Sequence, residues 1–251
     1  MDGDIAVLGQ PTENIPTGFD LVIVLGSGHQ AEIGIAASLD ELGLRYDRRD
    51  NDEIADIRVR FSDERRGYNV WFKLDHFGPD DVLADGGMQV PPHPHTGLQT
   101  VSWLFAGEVQ HRDSAGHAAV IRPGEINLMT SGRGISHSEV SLPGAGILHG
   151  VQLWIALPDA SRFVAPIFGH YAPPLIELDG GNARVFIGEL LGSTSPLRVF
   201  SPLVGAELNL NPLATIDLPL RPDFEYGVLV DEGELYIGEQ SLQKSQLAYL
   251  P

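Results

Sequence analysis

The chain has 251 residues, 43% of them hydrophobic, enough for one large domain or two ordinary ones with a real core. It contains no cysteine, which excludes disulfides, thiolate catalysis and zinc fingers and fits a reducing compartment. With 16 basic against 34 acidic side chains the formal charge is −18, which argues against direct nucleic-acid binding because such a surface repels phosphate.

No apolar run reaches the length of about eighteen residues that a membrane span needs, so no membrane association is expected. The opening "MDGDIAVLGQ" carries no positive charge ahead of its apolar stretch, so no secretory signal is visible and a cytoplasmic protein is expected. The next stretch, "DLVIVLGSGHQAEIGIAASLDELGLRY", reads as a buried strand from Leu21 to Leu25, a glycine turn, and a helix from about Gln30 to Leu42. That helix would carry Ile33, Ala36, Ala37 and Leu39 on its apolar side and stop at Gly43. The G-x-G-x-x-G fingerprint is absent, since Glu32 and Ile33 follow Gly28 where a third glycine would soon be due, so packing is favoured over phosphate binding.

From about Ile57 the pattern changes to short strands separated by Gly, Pro and Asp, the signature of an all-β domain. Apolar strands in "NVWFKLDHFGPDD", "LQTVSWLFAGEVQHRDS", "HAAVIRPGEINLM" and "LHGVQLWIALP" are punctuated by Gly107 and by Pro123-Gly124. Pro158 to Gly181 is rich in Pro and Gly and reads as a connector. A second strand-rich region follows. Its last part, "YGVLVDEGELYIGEQSLQKSQLAYL", echoes "VSWLFAGEVQHRDSAGHAAVIRPGEINLM", with a Gly-Glu turn at Gly107-Glu108 in one and Gly233-Glu234 in the other. The echo predicts an internal duplication of one β-domain. Histidines stop at His170, so only the first copy could carry a histidine site.

Six of the nine histidines fall between His93 and His149. His93 and His95 sit at i and i+2, so a strand would offer both rings to one side of its sheet. His137 and Glu139, in "GRGISHSEV", form a second such pair, and Gly132 and Gly134 would let the backbone turn sharply before it. Three imidazoles and a carboxylate from two strands suit a divalent first-row metal and leave coordination positions open. Iron(II), manganese, nickel and copper all fit; zinc fits the donors but has less use for open positions. The remaining candidates read blandly. His111, in "HRD", matches a fragment of a kinase catalytic loop without its companion motifs, and Ser136 lacks the final glycine of a nucleophile elbow. His149 reads as a hydrogen-bonded core or supporting histidine and His117 as exposed in a turn.

These segments resemble the pirin family. The resemblance rests on "HPHTGLQTVSWLFAGEVQHRDSAG", "IRPGEINLMTSGRGISHSEV" and "LHGVQLWIALP", preceded by "LDHFGPDDV", and continues more weakly through "ARVFIGELLGSTSP". It implies a mainly β bicupin, two stacked antiparallel jelly-roll-like barrels with a metal in the N-terminal one. On that pattern residues 1–52 are an atypical strand-helix segment, 53–160 the metal-binding cupin and 161–251 a metal-free cupin. The family's ligand positions correspond to His93, His95, His137 and Glu139; Gln99 stands where many members have Glu, at a position that is not a ligand. Two departures stand out. The arginine-rich entry strand of pirins is replaced here, and pirins run on past "LAYL" into further strands, so the second barrel reads as truncated with an exposed edge.

The resemblance implies one of two functions. One is an iron-type dioxygenase that opens a flavonol such as quercetin with O2 and releases carbon monoxide, with Glu139 as ligand or as the base that takes the flavonol 3-hydroxyl proton. Trp103, Phe105, Met129 and Leu153 are candidates for its apolar lining, although alternation alone does not say which face inward. The other is a regulatory protein that docks on a protein partner under control of its metal.

Overall fold

The computed structural model describes residues 21–33, 54–63, 68–144, 146–221, 224–238 and 240–250. They form two compact units, one within residues 45–172 and the other within 173–251 together with the first strand. That first strand is β1 (Leu21–Ile33). The histidine-bearing unit holds β2 (Ile54–Asp63), β3 (Tyr68–Asp81), the one-turn helix α1 (Val82–Asp85), β4 (Gln89–His95), β5 (Leu98–Ala106) and β6 (Val109–Asp113). It continues with β7 (Ala118–Ile121), β8 (Ile126–Thr130), β9 (Ile135–Ser141), β10 (Ile147–Ala156) and β11 (Ile167–Tyr171). The second unit adds β12 (Ile176–Leu178), β13 (Gly181–Ile187), β14 (Glu189–Leu190), β15 (Ser193–Thr194), β16 (Gly205–Leu210), β17 (Thr215–Ile216), β18 (Glu225–Ile237), β19 (Gln240–Gln243) and β20 (Leu247–Leu250).

In the histidine-bearing unit the strands make two antiparallel sheets, ordered β11-β8-β5-β10-β3-β2 and β4-β9-β6-β7. Their inner faces meet: Glu139 of β9 accepts a hydrogen bond of 2.9 Å from Ser102 Oγ of β5. This contact fixes which residues point inward, because strand side chains alternate and directly opposed partners share a face. Ser102 is opposite Gln152 and Asn127, and Thr100 is opposite Met129 and Trp154, so all six lie on the inner face of the larger sheet. Trp103 and Phe105 have the other parity, and Leu153 is opposite Val101, so these three lie on the outer face of the same sheet. Of the four residues suggested as apolar lining, Met129 alone faces inward. Both faces of β5 are buried, so burial does not alternate along the strand and its polar residues Gln99, Thr100 and Ser102 are covered as well. At one end of the interior Leu104, Val109, Ile121, Leu148 and Val82 form an apolar cluster.

β1 departs from the expected strand and helix. It continues as strand to Ile33, and Ala31, Glu32 and Ile33 pair in parallel with Leu235, Tyr236 and Ile237 of β18. Backbone hydrogen bonds to a neighbouring strand thus replace those of a helix over Gln30–Ile33, and one or two apolar helical repeats do not outweigh them. The rest of the proposed helix, residues 34–42, lies outside the described residues. The Pro/Gly-rich connector also carries β11, whose five residues pair with β8 and complete the edge of the larger sheet.

The second unit repeats the pairing of the first. β5 pairs with β8 and, after Gly107, β6 pairs with β7. The first part of β18 pairs with β20 and, after Gly233, its last part pairs with β19. Gly107 and Gly233 have φ of 86° and 83°, a backbone that side-chain-bearing residues avoid. The glycine at Gly233 therefore bends a single long strand and does not close a hairpin. No helix among the described residues is long and apolar enough to cross a membrane.

Gly132 precedes β9 with φ 51°, and a Cβ there would collide with the carbonyl of Val164, which accepts from the Arg133 amide at 2.9 Å. Gly132→Ala is expected to cost more than 2 kcal/mol in chemical denaturation, roughly the sum of a left-handed backbone penalty and a displaced chain. Gly116→Ala, at φ 93° in open space, should cost about 1 kcal/mol. Equal losses at the two positions would show that the Val164 contact is unimportant.

Candidate metal centre

β4 is "QVPPHPH", and its prolines shape the site. Pro91 and Pro92 have no N–H, so the ladder to β9 breaks between Val90 and His93. The carbonyl of Pro91 turns instead to His93, 3.0 Å from Nδ1. Pairing resumes with His93 opposite His137 and His95 opposite Ile135. Along β9 the alternation is regular, and Ile135, His137, Glu139 and Ser141 are buried while the residues between them are partly exposed.

The result brings three imidazoles together. His95 Nε2 lies 2.9 Å from His93 Nε2 and 3.1 Å from His137 Nε2. A carbonyl only accepts, so His93 Nδ1 carries the hydrogen given to Pro91 and its Nε2 presents a bare lone pair. His137 is kept neutral. Its pKa falls from 6.5 to about 3, first through burial and then through the neighbouring His111, His93 and His95, against a smaller opposing effect of Asp113. Imidazole nitrogens at 2.9 and 3.1 Å from His95 Nε2 are a donor set that a cation fits. Trp154 closes one side, edge-on to His95 with ring centroids 5.0 Å apart.

Glu139 is 3% exposed and has each carboxylate oxygen engaged, Oε1 by Ser102 Oγ at 2.9 Å and Oε2 by Gln152 Nε2. It stands with His111 and His137 in a second potential ligand group that shares His137 with the first. The four residues expected from sequence are therefore contiguous through His137, with three imidazoles in one group and Glu139 in the adjoining one.

Behind His137 stand His111 and, in contact with it, Asp113. His111, 2% exposed, places Nδ1 3.3 Å from His137 Nδ1 and Nε2 3.3 Å from Asp113 Oδ2. Asp113 also holds the turn after β6, its Oδ1 accepting from the amides of Ala115 and His117 at 2.9 and 3.0 Å. Burial works to raise the Asp113 pKa, but the bonds from the His117 amide and from the His117 and His111 rings outweigh it and hold the carboxyl below 3.8. Phe168 of β11 stacks on His111 with centroids 4.6 Å apart. His117, expected to be exposed in a turn, has 38% of its side chain exposed and bonds Asp113 at 2.9 Å. His149 is buried, with Nε2 3.0 Å from His76 Nε2, and Gln99 bonds Thr130 Oγ1 at 2.9 Å away from the cluster. His111 and Asp113 carried one readable signal, a strand H-x-D at the i, i+2 spacing of the other two pairs; Ser102 and Gln152 carried none.

Two facing antiparallel sheets with converging histidines on their inner surface define a cupin. The Pirin family model matches residues 54–155. Mouse pirin (Mus musculus) is 32% identical over 215 residues, covering 83% of this chain and 72% of that protein. A Pseudomonas aeruginosa protein named "Putative quercetin 2,3-dioxygenase" is 46% identical over 194 residues, covering 77% of this chain and 62% of its own length. The crystal structure of a quercetin 2,3-dioxygenase from Acinetobacter baumannii superposes with a TM-score of 0.57 at 42% identity, covering 73% of this chain and 62% of that one. The chain belongs to the pirin family, and its fold is the mainly β bicupin of that family. It spans about three fifths of the length of the first curated relatives it matches.

The depressed pKa of His137 has a pH consequence. Below 6.5 the unfolded chain takes up a proton that the metal-free folded protein refuses down to about 3. This residue's contribution is therefore fully present above pH 6.5 and is lost progressively as pH falls toward 3. Denaturant titrations of chelator-treated protein should show a steeper loss of stability over that window for wild type than for His137→Gln. Parallel curves would mean that His137 titrates normally.

Proposed function

We propose that this chain is a metal-dependent dioxygenase of flavonol-type substrates, with His93, His95, His137 and Glu139 holding one divalent first-row metal, Fe(II) in the first instance. The observation that carries the reading is the convergence of three imidazoles, His93 and His137 Nε2 lying 2.9 and 3.1 Å from His95 Nε2, beside a buried carboxylate. The relatives named for quercetin 2,3-dioxygenase activity support the reaction class. Manganese, nickel and copper suit the same donors. When bound, the metal supplies Lewis acidity that lowers the pKa of a substrate hydroxyl, together with the redox chemistry that O2 requires.

The remaining work falls to the protein. Glu139 is the base in this reading, taking the proton of the flavonol 3-hydroxyl, and Ser102 and Gln152 hold its carboxylate in place across the gap between the sheets. Trp154, Met129 and Phe168 give the inner face flat or polarisable apolar walls for an aromatic ligand. Asn127 is 2% exposed, accepts at Oδ1 from His170 at 2.8 Å, and has no partner for Nδ2 among the described residues. That amide is a ready donor for a ligand oxygen. O2 then opens the electron-rich ring, and one ring carbon leaves as carbon monoxide.

Elemental analysis of protein purified without chelator should find about one equivalent of metal, and the same sample should consume flavonol only when O2 is present. Glu139→Gln should lower turnover by about 100-fold or more while the protein stays folded. Metal without turnover would shift the reading to a non-enzymatic, metal-dependent protein that binds a protein partner, and folded protein without metal would overturn the centre itself. Asn127→Ala should raise KM for the flavonol by about 10-fold with little change in kcat; an unchanged KM would exclude the amide from the binding site.

A further inference from the structure

The hydrogen bonds behind His137 run in one direction, and the direction is set at the far end. Asp113 Oδ2, in a side chain with 0% exposure, faces His111 Nε2 at 3.3 Å. A carboxylate has only lone pairs to offer, so the hydrogen in this contact belongs to His111 Nε2. A neutral ring with its hydrogen on Nε2 has a bare Nδ1. That bare nitrogen stands 3.3 Å from His137 Nδ1, so the second contact requires the hydrogen on His137 Nδ1. His137 Nε2 is then left without a hydrogen, and it is the atom that lies 3.1 Å from His95 Nε2 in the cluster. The strand register supports the chain at each end: on neighbouring β6 and β9, Asp113 is directly opposite His137 and His111 directly opposite Glu139.

We propose that Asp113, acting through His111, fixes the tautomer of His137 and so presents its Nε2 as a metal donor. Asp113 is a positioning residue, two hydrogen bonds from the nitrogen it controls. His93 reaches the same outcome by a shorter route, through the carbonyl of Pro91. The metal-binding consequence rests on the function proposed above; the tautomer assignment does not. In the competing arrangement His111 is itself a ligand through the atom that faces His137, within the group His111, His137 and Glu139. The two differ in whether His111 Nδ1 accepts a hydrogen or a metal.

Asp113→Asn separates these possibilities with little disturbance. The asparagine oxygen can keep the turn bonds to the amides of Ala115 and His117, while its NH2 replaces the oxygen that faces both His111 and the His117 ring, whose Nδ1 keeps the remaining oxygen at 3.1 Å. An amide donates there, so His111 must accept at Nε2, donate from Nδ1, and drive the His137 hydrogen onto Nε2, where it blocks the donor. The primary measurement is a long-range 1H–15N correlation spectrum of metal-free, 15N-histidine-labelled full chain. Wild type should show the Nδ1–H tautomer at His137 and the Nε2–H tautomer at His111, and Asp113→Asn should show both reversed. Competition titration with Zn(II), used as a diamagnetic probe, should show affinity about 10- to 100-fold weaker in the variant. On saturating wild type with Zn(II), the His137 Nε2 resonance should shift while His111 Nδ1 keeps its metal-free position. An Nε2–H tautomer at His137 in wild type would overturn the proposal, as would a Zn(II)-induced shift at His111 Nδ1. The wild-type spectrum decides the matter even if the variant does not fold. Wild type that shows these tautomers yet takes up no metal would uphold the proposal and remove the metal reading instead.

Discussion

Imidazole nitrogens repel when they meet lone pair to lone pair, and with His95 Nε2 within 3.1 Å of two others the cluster requires its hydrogens to be placed from outside. Much of the histidine-bearing unit serves that requirement. Burial keeps His137 neutral, the Pro91 carbonyl accepts the hydrogen bond of His93, and the paired strands β4 and β9 of one sheet aim the rings at a common point. The facing sheet supplies Ser102 and Gln152, which hold Glu139 beside the rings. Nothing in this arrangement needs a flexible loop, because each group stands on a strand paired on at least one side.

The two donor pairs were legible because they depend only on local geometry. Residues at i and i+2 of a strand share a face whatever the strand pairs with, so "HPH" and "HSE" could be read without knowing the fold. The supporting residues depend on register between strands distant in sequence. His111 matters because β6 lies beside β9 with His111 opposite Glu139, and the chain offers no local sign of that pairing. Inner and outer faces were hidden for the same reason: β5 is buried on both sides, so its composition does not distinguish Trp103 from Ser102. In the N-terminal segment the expected strand is present, and among the described residues the departure is confined to Gln30–Ile33. The apolar spacing there is compatible with a helix as far as it goes, but at Gln30–Ile33 the partner strand decided the outcome.

The duplication was legible too, as a repeated strand-glycine-strand pattern, and the pairing of β18 with β19 and β20 matches that of β5 and β6 with β8 and β7. The copies have diverged in what they place inside. The second has no histidine after His170 and fills its interior with an apolar cluster that includes Val185, Leu208, Phe224 and Tyr226. A shared fold has thus been kept while, among the described residues, the converging group of three imidazoles stands in the first copy.

The prolines of β4 have an effect beyond the ring of His93. Among the described residues β4 is the outermost strand of its sheet, paired on one side with β9. An outermost strand is a template on which another chain can add itself, hydrogen bond by hydrogen bond. Pro91, Pro92 and Pro94 remove three of the seven amide hydrogens from this strand, and the bulge beside them spoils its straightness. The residues that shape the candidate metal centre therefore also guard the border of the sheet against strand addition, and replacing them would put solubility at risk together with the geometry of the histidine cluster.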